Sequence, residues 1–326
     1  MKLKVLELFG GIGACSKALE RIGIEEDIVD YVEIDKYAVK SFNAIFGTNF
    51  EPQDICEWDK DIEVDLIMHG SPCQDFSIAG LQAGGDIDSG TRSSLMYETI
   101  RIVKKLKPKY VIWENVKNLL SKKHRHNFDK YLETMEEIGY KNYYQLLNAK
   151  DYGIPQNRER VFTISIRNDI QKEFQFPMKQ ELKLKLKDML DKEVEEKCYL
   201  SDDLMRHIQN TAKEHEKYTQ YSRYNGELEM WCRVWKDISP TLNTKCKDTK
   251  IYIENNLKIR KLTPKECWRL MGFNDEDFEK ASKVNSNSQL YKQAGNSIVV
   301  NVLEEIFKEL FKEENNESSD INREIN

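Results

Sequence analysis

Along the first 170 residues, short uninterrupted apolar runs alternate with stretches whose apolar positions recur at helical spacing. The runs Lys4-Val5-Leu6-Glu7-Leu8-Phe9, Ile28 to Ile34, Asp65-Leu66-Ile67-Met68-His69 and Tyr110-Val111-Ile112-Trp113 predict buried strands. Between them the spacing predicts helices over Ser16 to Ile22, Lys36 to Phe46 and Leu95 to Leu106. A helix over Asn127 to Ile138 and strands at Tyr140 to Leu147 and Val161 to Ile166 follow. Strand and helix in alternation predict an α/β fold with a Rossmann-like sheet. From Ile170 to Asn256 the alternation stops and lysine, glutamate and aromatics take over, which predicts a second, smaller and irregular domain. Regularity returns where Thr263 caps a helix from Pro264 to Met271, with Glu266 at its third position and Gly272 ending it. Gly295-Asn296-Ser297 then precedes an amphipathic helix, Ile298 to Phe311. The expected division is therefore 1–169 as one domain, 170–256 as the second, 257–312 returning to the first, and 313–326 as an acidic, disordered tail.

Composition narrows the class. At 326 residues the chain can bury a full core. No apolar run approaches the roughly 18 residues a membrane span needs. Met1 leads straight into Lys2-Leu3-Lys4, so no signal peptide is read and a cytoplasmic protein is expected. The seven cysteines form no Cys-x-x-Cys pair and do not cluster with histidine, which argues against both a disulfide framework and a metal site. A net charge of −6 argues weakly against a nucleic-acid partner. Charge placement qualifies that: from Arg101 to Arg125 the chain is rich in arginine and lysine, with Glu114 the only acid. Such a run also describes an ordinary solvated face.

The candidate chemistry lies at strand ends. In Gly70-Ser71-Pro72-Cys73-Gln74-Asp75-Phe76-Ser77, Cys73 falls just past a strand's carboxyl end, where open α/β sheets keep their ligand crevice. A cysteine there is a candidate nucleophile, or else a buried structural thiol. The glycine-rich stretch after it has the composition of a loop able to close over a substrate. Gly10-Gly11-Ile12-Gly13 follows the first strand, and Glu33 stands about 20 residues beyond Gly13, the spacing that lets an acid hold ribose hydroxyls. The third glycine of that fingerprint is replaced by Ser16, so a tight turn with a surface glutamate is the alternative. Glu114-Asn115-Val116 ends another strand, and Arg158 and Arg160, two residues apart, are expected to project to one face as a pair.

Taken together these segments resemble the cytosine-C5 DNA methyltransferases over nearly the whole chain and in the family's order. The matching segments are Phe9-Gly10-Gly11-Ile12-Gly13, the Gly70 to Ser77 octet, Glu114-Asn115-Val116, Gln156-Asn157-Arg158-Glu159-Arg160, Arg260 to Glu266, and Gly295-Asn296-Ser297. The resemblance implies S-adenosylmethionine as methyl donor, S-adenosylhomocysteine as product, no metal, and double-stranded DNA as substrate. It implies a monomer, with a companion restriction endonuclease as a further partner. Cys73 would add to carbon 6 of a flipped-out cytosine, Glu114 would bind its amino edge and ring nitrogen 3, and Arg158 and Arg160 would orient the base and hold backbone or the catalytic acid.

On the donor side the resemblance implies a pocket made by Phe9, Gly10, Gly11, Gly13, Glu33, Ile34, Asp54, Ile55, Pro72, Leu95, Asn296 and Ser297. On the DNA side it implies Gln74, Ser77, Arg92, Thr241 and Leu242, the last two within Pro240-Thr241-Leu242 of a target-recognition region. Lys236, Lys245, Lys247 and Lys250 are candidate phosphate contacts. Ala14, where many members carry glycine, and a long Gln82 to Arg92 loop depart from the pattern without removing a reactive group. Two alternatives stand beside this expectation. One is a relative that methylates tRNA cytosine, whose usual Cys-Phe-Thr signature is absent here; the other is a DNA-binding relative without catalysis.

Overall fold

The computed structural model describes residues 2–71, 95–201, 219–224, 227–232, 237–244, 250–253 and 258–312. The chain forms two compact units: Met1–Asn148 with Glu159–Lys179 and Ile298–Asn326, and Ala149–Arg158 with Gln180–Ser297.

In the first unit the order is β1 (Leu3–Leu8), α1 (Ala14–Arg21), β2 (Glu26–Val32), α2 (Lys36–Phe46), β3 (Leu66–His69), α3 (Met96–Leu106), β4 (Tyr110–Val116), α4 (Arg125–Glu137) and β5 (Tyr140–Asn148). β6 (Gln156–Asn157) belongs to the second unit, and β7 (Glu159–Arg167) brings the chain back to the first. The six-stranded sheet runs β2-β1-β3-β4-β7-β5. β2, β1, β3 and β4 are parallel; β7 is antiparallel to both β4 and β5. Val5, Leu6, Leu8, Leu66, Ile67, Val111 and Ile112 are fully buried, which is why these strands read as continuous apolar runs and not as alternations. Register aligns Leu8 with Val32 and His69, and His69 with Trp113, so β1, β2 and β3 end side by side while β4 runs three residues further. The order reverses between β1 and β3, the position at which doubly wound sheets open a crevice.

The turn after β1 is tightly packed. Gly13 has φ 81°, and a Cβ there would lie 2.3 Å from the Phe46 ring. α1 starts immediately beyond it with no cap from its own flank. Buried Glu7 supplies one instead: its Oε1 accepts from the Ser16 amide (3.1 Å) and hydroxyl (2.5 Å), satisfying a first-turn donor. The C-terminal helix, Val300–Leu310, lies in this unit, where Arg21 of α1 pairs with Glu304 at 3.0 Å.

The second unit is built mainly of short pieces. Two antiparallel hairpins, Thr219–Tyr224 with Glu227–Cys232 and Lys250–Ile253 with Lys258–Lys261, accompany helices Pro264–Arg269, Asp275–Ser282 and Asn287–Asn296. The capping box of Thr263 and Glu266 is present as expected. The expected division differs from the observed units in three places: 149–158 lies in the second unit, 170–179 in the first, and 257–297 in the second, with the return beginning only at Ile298. Gly295 and Asn296 finish a helix that the sequence pattern did not predict, and Ser297 closes it. The tail 313–326, the glycine-rich loop, Lys236, Lys245 and Lys247 lie outside the described residues. Among the described residues no helix is long and apolar enough to cross a membrane.

Candidate active site

Glu114 stands inside β4, not beyond it, because pairing with β7 continues to Val116. Val116 faces Arg160 in that ladder, and Glu114, two residues earlier, shares its face. Arg160 therefore meets Glu114 on the diagonal, with Nε 2.9 Å from Oε1 and the two side chains only 15% and 12% exposed. On the neighbouring strand the chain leaves β3 through Gly70 and Ser71. A Cβ on Gly70 would sit 3.8 Å from Glu114 Oε2, and the Trp113 indole donates to Ser71 Oγ at 2.9 Å. The strand carrying the acid thus also fastens Ser71, two residues before Cys73. Cys73, with Pro72, Gln74, Ser77 and Arg92, lies outside the described residues.

Immediately before this exit, His69 is fully buried against Trp113, its ring nitrogen 3.2 Å from the Tyr131 hydroxyl. Burial pushes its pKa down to about 3, so at neutral pH it is an uncharged wall and not a proton carrier.

Arg158 and Arg160 do not form the expected pair. β7 begins at Glu159, so the alternation that places Arg160 does not extend back to Arg158, which sits in the connection from β6. Within the second unit Arg158 is 4% exposed and donates to the carbonyls of Leu242 (2.7 Å), Gly295 (3.1 Å) and Ser297 (2.8 Å). Gln156 does similar work, accepting from the Leu242 amide at 3.0 Å and donating to the Leu270 carbonyl at 2.8 Å. Leu242, expected on the DNA side, is 1% exposed with both backbone groups engaged inside the unit. Thr241 is exposed, its hydroxyl donating to the Asn157 carbonyl at 2.6 Å. Asn296 is exposed and Ser297 buried in the same unit.

The donor-side residues of the first unit do come together. Phe9 takes φ 55°, a left-handed conformation rare for an aromatic residue, and packs with Ile55 and Leu95 on one apolar cluster. Gly10 and Gly11 continue that turn, and Glu33 Oε2 accepts from the Gly11 amide at 3.2 Å while Oε1 accepts from Asp35 at 2.8 Å. Burial raises the Glu33 pKa, against the pull of these amide bonds. Beside it Ile34 is 68% exposed. The Gln53 amide donates to the Glu33 carbonyl at 2.9 Å, bringing Asp54 and Ile55 to the same strand ends. Asp54 is exposed and Ile55 buried. Trp113, read only as part of a buried strand, Arg101, read only as part of a basic run, and Asp30 were given no role at the site. Their only signals were an indole in a buried strand and charged groups within otherwise apolar patterns.

A family model for C-5 cytosine-specific DNA methylase matches residues 3–312. Among curated relatives, the type II methyltransferase M2.ScrFI of Lactococcus lactis subsp. cremoris is 43% identical over 276 residues, covering 84% of this chain and 72% of that protein. The type II methyltransferase M.HhaI of Haemophilus parahaemolyticus is 37% identical over 314 residues, 93% of each chain. Among solved structures, the S. pombe Dnmt2 methyltransferase superposes with a TM-score of 0.71 at 20% identity, covering 96% of this chain and 99% of that one, a likeness of fold alone. With the match running from the first strand to the C-terminal helix, the chain belongs to the C-5 cytosine-specific DNA methylase family.

Proposed function

We propose that the protein transfers a methyl group from S-adenosylmethionine to carbon 5 of a cytosine flipped out of double-stranded DNA. The observation that carries the reading is the Arg160–Glu114 pair beside the Gly70-Ser71 exit, two residues short of Cys73. Carbon 5 is a poor nucleophile in the intact ring. When the Cys73 thiolate bonds carbon 6, the electron pair of the 5,6 double bond moves to carbon 5 and makes it one. Glu114 would accept from the exocyclic amine and share a proton with nitrogen 3, where the ring's developing charge is spread. Arg160, bonded to one carboxylate oxygen, leaves the other facing the exit of β3. Once carbon 5 has taken the methyl group, water takes the carbon 5 proton, that electron pair re-forms the 5,6 double bond, and the bond from carbon 6 to sulfur breaks to release the thiolate.

The residues of the first unit suit the donor's adenosine part. Phe9 and Ile34 offer apolar surface, Glu33 keeps lone pairs for ribose hydroxyls, and the exposed carboxylate of Asp54 can accept from an exocyclic amine. When bound, S-adenosylmethionine supplies a methyl group activated on a sulfonium. A cytosine inside a duplex cannot reach a strand-end thiol, which is why base flipping belongs to the reading.

The test is methyl transfer from labelled donor to duplex DNA and, in parallel, to tRNA. Wild-type protein should label the duplex, and Cys73→Ser should bind it while losing all turnover. Label in tRNA alone would transfer the reading to RNA. A 5-fluorocytosine duplex should trap the wild type through Cys73, and full turnover by the serine variant would refute the assigned nucleophile.

A further inference from the structure

Asp30 lies near the end of β2, 3% exposed among Ile28, Val29, Tyr31 and Val32. A carboxylate buried there needs partners. It has four: Oδ1 accepts from the Tyr31 amide and Gln53 Nε2, both at 2.9 Å, and Oδ2 from the Trp58 indole and Lys60 Nζ, both at 2.7 Å. Burial alone would raise its pKa, and the bonds from Lys60, Trp58 and Gln53 outweigh that to hold it below the usual range. Three of the four donors come from one segment, 53–60, which contains no strand and only turn bonds, from Glu57 to Asp54 (3.1 Å) and from Trp58 to Ile55 (3.3 Å). Arg101 of α3 binds the same segment through the carbonyls of Ile55 (3.0 Å) and Trp58 (2.9 Å). Besides the backbone bond from Gln53 to Glu33 and the burial of Ile55 and Trp58, the segment is thus held by side chains reaching it from β2 and α3.

We propose that Asp30 is a positioning residue for the adenine of the methyl donor, holding segment 53–60 so that Asp54 and Ile55 meet the base. Asp30 touches no ligand itself; it acts through Gln53, Trp58 and Lys60. The inference rests on the donor site proposed above. It adds a residue that the site's surface does not reveal.

The experiment uses the full chain and two readouts: the Kd for S-adenosylhomocysteine by calorimetry, and the donor KM with kcat at saturation. In Asp30→Asn one oxygen becomes an NH2 donor, so the side chain cannot accept from all four donors, and the charge that Lys60 pairs with is lost. Losing a charge-assisted bond should raise donor KM and product Kd by about tenfold. Saturated kcat and duplex affinity should stay within twofold of wild type. Trp58→Phe keeps the Asp30 charge while removing the indole N–H and trimming the buried ring, and should move the same constants in the same direction by less, which keeps the test decisive should the asparagine variant fold poorly. Lys60→Met, with a half-exposed ammonium, should change them least. Unchanged donor constants in both Asp30→Asn and Trp58→Phe overturn the inference, as does a loss shared equally by kcat, donor and duplex binding. Wild-type protein that binds no donor defeats the functional reading itself, and this inference with it.

Discussion

Glu114 in the first unit and Arg158 in the second are both charged, both screened from water and both part of motifs shared with the family, yet they are held in opposite ways. Glu114 is delivered by a strand: the β4–β7 register fixes its face, and Arg160 finds it on the diagonal. Arg158 delivers the chain instead. Three carbonyls from two remote segments converge on its guanidinium, and Gln156 beside it holds two more backbone groups. Elsewhere in that unit the buried Arg260 binds Glu266 through two bonds, at 2.8 and 2.6 Å, and Arg269 ties Asp191 to Asp275. Where secondary structure is regular, backbone places side chains. Where it is sparse, side chains place backbone, and the same residue type takes on a different job.

Breaking each kind of support should therefore fail differently. The largest effect is expected from Arg158→Ala. It orphans three buried carbonyls and should cost about 3 to 5 kcal/mol of stability, seen as an early transition in urea unfolding. Arg160→Ala, by contrast, should lower turnover and cost less stability than Arg158→Ala, since it removes one ion pair to Glu114 and one bond to the Glu159 carbonyl and not three buried bonds between remote segments. If Arg158→Ala unfolds like wild type but loses activity, the contrast between the units is wrong. Glu33→Ala tests the first unit alone. Losing the bonds to ribose hydroxyls should weaken donor affinity by about 30-fold, with duplex affinity unchanged, both read by calorimetry.

The smallest effect concerns Glu7, the buried cap of α1. Burial, then the charge of nearby Glu26, push its pKa up to about 8, against the bonds from Ser16. Between about 4.5 and 8 the unfolded chain releases a proton that the folded chain keeps, so stability falls as pH rises through that window. Glu26, raised to about 7, contributes with the same sign. Glu7→Gln should flatten, without abolishing, the decline in Tm between pH 5.5 and 7.5; an unaltered slope would rule out a protonated Glu7.

The same contrast explains what could be read in advance. In the first unit the apolar runs located the strands of the sheet to within a few residues, and strand ends located Glu33 and Glu114, because burial of the central strands on both faces imprints itself on sequence, while the edge strand β5 is largely unburied. The period-two argument failed at Arg158 because a strand boundary one residue away ends the periodicity. In the second unit helix Asn287–Asn296 shows few apolar positions and contains Gly295, which reads as a break. The glycine is there for closeness: a Cβ would lie 2.2 Å from the backbone of Asn243. Contacts between segments fifty or more residues apart, such as Arg158 with Leu242, leave no local pattern to detect.

One consequence follows from the backbone at Phe9, whose φ of 55° is a shape that an aromatic residue adopts at a cost of about 1 to 3 kcal/mol. Glycine would sit in that turn without complaint. A laboratory search that rewarded only survival of heating would drift toward glycine at position 9 and discard the ring that the proposed donor site uses. Under the proposed function, endurance and ligand recognition pull the chain in opposite directions at this turn.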